Sequence, residues 1–225
     1  IKRDRAAAAA AYFQDNAEQW DSIRSLHVDE SEVERALLEL LPGPLGDFLD
    51  IGTGTGRMLE MFAPEFERGT GVDLSHHMLA VARANLETAG LRNCQVRQAD
   101  MYGLPMEDGS FDGAVIHQVL HYADRPGAVI AEAARVLRPG GTMVIVDFAP
   151  HGLEKLRDEN AHRRLGFADD EVRDWLSAVG LVQGTVRKLS GDPLTVTLWS
   201  AAKPGVPQGS GRPSRPSRRQ PVEVA

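Results

Sequence analysis

Short apolar runs recur along this chain, each closed by a polar residue or a glycine and followed by a stretch with helical spacing. Phe48-Leu49-Asp50-Ile51 leads into Gly52-Thr53-Gly54-Thr55-Gly56-Arg57, and Met58, Leu59, Glu60 and Met61 follow directly. That order predicts a strand over 47–51, a tight turn, and a helix over 57–63. Further strands are predicted at 69–73, 94–98, 113–116 and 142–147, with helices at 75–89, stopped by Gly90, and at 126–137. Parallel strands joined by helical crossovers are the natural outcome, an α/β doubly wound sheet. Beyond 147 the pattern predicts helices near 153–164 and 169–179, then a hairpin of 182–189 with 194–202 around Ser190-Gly191-Asp192-Pro193. Ahead of the first strand, Ala6 to Ala11 is a strong helix former. Asp29, Glu30 and Glu32 open a second helix that Pro42-Gly43-Pro44 ends.

The glycine turn holds the chemistry. Glycine tolerates positive φ, and without a Cβ it lets a ligand lie against backbone and a helix start. The dinucleotide fingerprint G-x-G-x-x-G requires glycine at 57, where this chain has Arg57. The pattern is instead D-x-G-x-G-x-G, and a carboxylate at Asp50 repels a pyrophosphate but suits a water or an ammonium group. Asp73 closes the second strand 21 positions beyond Gly52, where an acid hydrogen-bonds ribose hydroxyls. A ligand with a ribose, an ammonium and no phosphate is S-adenosylmethionine.

Five segments then extend the pattern in order: Asp50 to Gly56, Val72 to Ser75, Gln98-Ala99-Asp100-Met101, Phe111 to Ile116, and Leu137-Arg138-Pro139-Gly140-Gly141. Together they resemble the successive motifs of class I S-adenosylmethionine-dependent methyltransferases, over roughly 45–202. More narrowly the chain resembles ubiquinone/menaquinone-biosynthesis-like (type 11) enzymes. Trp20 to Val28 and Asp147 to His151 are similar to methyltransferase domains fused to ArsR-type winged-helix regulators. The resemblance implies a Rossmann-like, seven-stranded sheet, mostly parallel with an antiparallel C-terminal strand. It also implies a helical cap at 1–42 in front of the methyltransferase domain at 43–202, with a DNA-binding part upstream of Ile1 if the ArsR likeness holds.

Composition narrows the classes. A chain of 225 residues, 42% hydrophobic and 25% charged, supports one substantial soluble domain with extensions. It has no apolar run long enough to span a membrane and no secretory signal peptide. Its single cysteine, Cys94, forms no internal disulfide and points to a reducing, cytoplasmic setting. The net charge of -7 is uneven: the tail 203–225, with five basic residues and one acid, carries +4, which leaves -11 on 1–202. An acidic body disfavours a nucleic-acid partner. The Pro, Gly, Ser and Arg content of the tail reads as disordered. A homodimer stays open.

For the cofactor, the resemblance assigns Asp50, Gly52, Thr53, Gly54, Gly56, Asp73, Leu74, Met78, Asp100, Met101, His117 and Gln118. The alternatives are core for Met78, a helix cap for Asp73, which the paired glycine motif makes the weaker reading, and an ordinary loop acid for Asp100, where the contest is closer. His117 and His121 share the i, i+4 spacing of H-E-x-x-H, but Gln118 replaces the acid and no third ligand is evident, so no metal is expected. His121 and Tyr122 are the catalytic candidates, since a neutral imidazole accepts a proton near neutral pH; a structural histidine is the equal alternative. Tyr12, Asp147 and His151 are candidate contacts for a small-molecule methyl acceptor, while His162-Arg163-Arg164 could bind a carboxylate or phosphate but reads better as a solvated helix face. Cys94 is expected to be no nucleophile. The sequence therefore predicts methyl transfer to a small acceptor. Two rivals are a non-catalytic S-adenosylmethionine-sensing module of a regulator and a nicotinamide oxidoreductase, the latter disfavoured by Asp50 and Arg57.

Overall fold

The computed structural model describes residues 29–160 and 162–205. In chain order they form α1 (Glu30–Leu40), β1 (Leu45–Ile51), α2 (Arg57–Phe62), β2 (Phe66–Asp73), α3 (His76–Thr88), β3 (Cys94–Gln98) and β4 (Phe111–His117). These are followed by α4 (Pro126–Val136), β5 (Leu137–Phe148), α5 (Lys155–Glu159), α6 (Asp169–Ala178), β6 (Val182–Ser190) and β7 (Thr195–Ala202). One sheet runs in the order β3-β2-β1-β4-β5-β7-β6. The pairs among β1 to β5 are parallel, and β7 lies antiparallel between β5 and β6. This is the expected Rossmann-like sheet with an antiparallel last strand.

Both faces of the sheet are covered, which explains why its central strands are apolar at successive positions. On β5, Val144, Val146 and Phe148 pack with Val33 and Leu37 of α1 and with Leu59 and Phe62 of α2. Met143 and Ile145 point the other way, to Val129, Ile130 and Ala133 of α4 and Val172 and Leu176 of α6. α1 thus belongs to the core. Tyr12, Phe13 and Trp20, and the tail beyond 205, lie outside the described residues.

Local signals account for the helix ends. Asp29 accepts from the Ser31 amide at the start of α1, and Ser75 Oγ accepts from Met78 N at the start of α3. Past α3, Gly90 takes φ 69° and Leu91 N closes back on Leu86 O at 3.0 Å. The helix expected over 153–164 is a correction: it spans only Lys155–Glu159. Its continuation is broken because the amides of Arg163 and Arg164 donate instead to His121 O, at 2.9 and 3.0 Å. Gly166 then turns the chain at φ 81°, where any Cβ would sit 2.1 Å from Ala149 O. β5 also starts earlier than expected, at Leu137, which pairs with Phe111 of β4 ahead of the Gly113–Thr142 register.

Strand order reverses between β1 and β4, both of which begin their C-terminal loops at the same edge of the sheet. Such a switch point leaves a crevice, the usual ligand position in an open α/β sheet.

Candidate functional site

The crevice is a pocket of about 470 Å³, an ordinary size for a small-molecule site. Its floor is the glycine turn. Gly52 N and Thr53 N both donate to Val72 O, at 2.8 and 2.9 Å, which bends the chain sharply off β1. Gly52 takes φ 75°, and a Cβ there would lie 2.6 Å from Val119 Cγ2. Only glycine meets both conditions.

Two carboxylates are held by this turn. Asp50 is buried, and Thr53 Oγ1 donates to its Oδ2 at 2.6 Å. Asp73 accepts from Gly54 N at 3.0 Å on Oδ2 and from Ser75 N at 2.8 Å on Oδ1. Burial raises the Asp73 pKa, and the Ser75, Gly54 and Leu74 amides offset part of that rise. The capping and ligand-binding roles considered for Asp73 are therefore compatible: each carboxylate oxygen keeps a further lone pair.

The opposite wall comes from the loop after β3 and the segment after β4. Asp100 Oδ1 accepts from Tyr102 N at 2.9 Å, so this acid shapes its own loop while lining the pocket. Arg135 pins that loop by donating to Leu104 O at 2.9 Å, Met106 O at 2.8 Å and Asp108 at 2.7 Å. At the end of β4, Gln118 takes φ 49°, the one positive φ for a residue other than glycine among the described residues. Strain of that kind concentrates at functional sites.

Of the residues singled out in the sequence, Asp50, Gly52, Thr53, Gly54, Asp73, Leu74, Met78, Asp100, Met101, His117, Gln118 and Tyr122 line the pocket. Met78 does so while 2% exposed, so it serves core and pocket together. Gly56 does not line it; this glycine sits under the turn at φ 86°, where a Cβ would press Ala82 Cβ at 3.3 Å.

The pocket lining does not include His121, Asp147 or His151, and for His121 the structural alternative is the one this geometry favours. Asp147 is fully buried and accepts from His121 N at 3.2 Å, while its Oδ1 stands 2.8 Å from His121 Nδ1. The imidazole lies behind the pocket wall, its ring 4.1 Å from those of Tyr122 and His162. Leu153 N donates to His151 Nδ1 at 3.3 Å, which makes His151 a turn residue. His117 ends a strand and His121 lies in the 3-10 turn Leu120–Tyr122, so the two do not share a helix face.

The structure adds pocket residues that sequence reasoning passed over, chiefly Tyr102, Val119 and Asp124. Tyr102 adjoins Asp100-Met101 and was within reach of the motif. Arg163, for which the sequence favoured a solvated helix face over binding a carboxylate or phosphate, lies beyond the early end of α5 and lines the pocket, so the solvated-face expectation is overturned. Cys94 is half-buried, and burial pushes its thiol up to about 11, which suppresses the thiolate.

Residues 49–145 match the profile of a family described as a methyltransferase domain. The chain is 39% identical over 127 residues to an O-methyltransferase of Pyrenophora dematioidea, covering 52% of this chain and 46% of that protein. It is 32% identical over 154 residues to the demethylmenaquinone methyltransferase of Desulfitobacterium hafniense, covering 65% and 61% respectively. The chain thus spans about half to three-fifths of these relatives. Among solved structures it is similar to geranyl diphosphate C-methyltransferase from Streptomyces coelicolor, with a TM-score of 0.69 and 18% identity over 77% of this chain and 79% of that one. Residues 49–145 thus match a methyltransferase domain, and they run from β1 to β5 of the seven-stranded Rossmann-like sheet.

Proposed function

We propose that this protein moves a methyl group from S-adenosylmethionine to a small-molecule acceptor. The observation that carries the reading is the charge of the pocket: Asp50, Asp73, Asp100 and Asp124 line it against one guanidinium, Arg163. Such a lining suits a cationic, ribose-bearing ligand and repels a pyrophosphate. Arg57, at the position where a dinucleotide site needs glycine, is turned onto Glu34 at 2.7 Å. Arg57 at that position and the carboxylate Asp50 beside the turn disfavour the nicotinamide reading.

The residues present fit S-adenosylmethionine. The Gly52-Thr53-Gly54 backbone and Asp50 would hold its amino-acid end, Asp73 its ribose hydroxyls, and Leu74, Met78 and Met101 its base. When bound, it supplies a methyl group already activated on a sulfonium, so transfer depends on alignment and exclusion of water rather than on a protein nucleophile. His117, Gln118 and Tyr122 face the pocket at the end of β4 and would orient the acceptor. With His121 behind the wall, His117 and Tyr122 are the pocket-lining groups at the end of β4 that could take an acceptor proton. The finer likeness to domains joined to ArsR-type regulators belongs to this proposal as its cellular setting.

Calorimetric titration with S-adenosylmethionine, S-adenosylhomocysteine and NAD tests the reading. Binding of the first two at about micromolar Kd, with none of NAD, is expected. A folded sample that ignores all three sinks it. Acceptor-dependent release of S-adenosylhomocysteine separates an enzyme from a cofactor-sensing module.

A further inference from the structure

We propose that Arg163 is the receptor for an anionic group, a carboxylate or a phosphate ester, on the methyl acceptor. The proposal rests on the methyl-transfer reading of this pocket and names the class of acceptor. Arg163 lines the same pocket as Asp50 and Asp73, on the wall shared with Tyr122 and Val119. In the structure its guanidinium is paired with Asp124, which also lines the pocket.

The two partners differ in how they are held. The Arg163 side chain is 16% exposed and that of Asp124 39% exposed. The Arg163 backbone is anchored on both sides: its amide donates to His121 O at 2.9 Å, and its carbonyl accepts from the Arg157 guanidinium. His121 is in turn fixed by two contacts to the buried Asp147 carboxylate. The dyad behind the wall therefore positions Arg163, rather than acting on an acceptor. Asp124 lies on an exposed stretch, its amide donating to the Tyr102 hydroxyl at 2.8 Å.

That asymmetry selects the sign of the ligand. An acceptor with an ammonium group would take Asp124 and strand a largely buried guanidinium, which is costly. An acceptor with an anionic group takes Arg163 instead and releases Asp124 to water, so no buried charge is left alone. A guanidinium fork also matches the two oxygens of a carboxylate or phosphate. Asp124 then holds the place of the substrate anion until the substrate arrives.

Benzoate, phenyl phosphate and benzamide, titrated calorimetrically into the full chain with and without S-adenosylhomocysteine, test this. At least one anion should bind about fivefold or more tightly than benzamide, and the tighter of the two anions assigns carboxylate or phosphate. D124N, which frees the guanidinium, should tighten anion binding about threefold or more, and R163Q should erase the preference. Equal binding of all three probes overturns the proposal. So does a matching loss in both variants, the outcome if the pair merely ties two segments together. Should R163Q fail to fold by thermal melt, the sign of the D124N effect decides alone. Failure of S-adenosylhomocysteine to bind would sink the methyl-transfer reading separately, while the probe titrations without it still test Arg163.

Discussion

The Gly54 amide donates to Asp73 Oδ2 over 3.0 Å, so the turn after β1 and the end of β2 form one rigid unit. Two motifs separated along the chain are joined there by a charge-assisted hydrogen bond, of the stronger kind.

Asp73→Ala is expected to weaken S-adenosylmethionine binding by about tenfold or more, through loss of ribose hydrogen bonds and of the Gly54 tether. The pH dependence has a definite sign. Burial raises the Asp73 pKa in the free protein, and ribose hydroxyls favour the ionised form, so affinity is full above that pKa and falls as pH drops through it. Calorimetry across the acid range checks both points. An unchanged affinity in a folded variant removes Asp73 from the site.

Gly52→Ala faces two separate penalties, a left-handed φ and a clash with Val119. The first costs about 1–2 kcal/mol and the overpacking about 1–3 kcal/mol. Adding Val119→Ala should recover the second part only. Denaturant titration of the single and double variants reads this directly; full recovery would show that the backbone conformation carries no cost.

Asp147→Ala leaves the His121 amide, the His121 ring and the Phe148 amide without their acceptor in the core. Stability should fall by about 3 kcal/mol or more, measured by urea unfolding. Near-wild-type stability would mean that the dyad is not structural, and would restore His121 as a candidate base.

At the opposite edge of the sheet, Arg138 joins Asp112 at 2.6 Å to Asp47 at 2.8 Å, and Arg68 adds a second fork onto Asp47. The Arg68 hydrogen bond lowers the Asp47 pKa against a smaller effect of burial; for Asp112, burial opposes the shift most strongly, but the Arg138 and Asp47 contacts together lower it. A lowered carboxyl pKa contributes stability above the unfolded value of about 4, lost as pH falls through the folded one. Arg138→Met should therefore cost on the order of 1 kcal/mol at neutral pH, the exposed guanidinium being screened by solvent. It should also move the onset of acid unfolding to higher pH. An acid transition that does not move counts against the network.

The strands, the glycine turn and the paired acids Asp50 and Asp73 were legible in the chain because each depends on neighbours in sequence. Apolar runs make buried strands, and positive φ after β1 demands glycine whatever lies elsewhere. Gly90, Ser75 and Asp29 marked helix ends for the same local reason. The sequence left the role of His121 open and favoured a solvated face for Arg163, because their positions depend on distant partners. The family resemblance suggested a pocket position for His121, but it does not reveal that Asp147, 26 positions on, holds its ring behind the wall. Arg163 read as part of a continuing helix until its amide was taken by His121 O. Local patterning thus determined the sheet and the cofactor-side geometry, since both follow from backbone propensity and burial. Tertiary structure alone decided which charged side chains after β4 and α5 reach the pocket, because that depends on which long-range hydrogen bonds win the loop amides there.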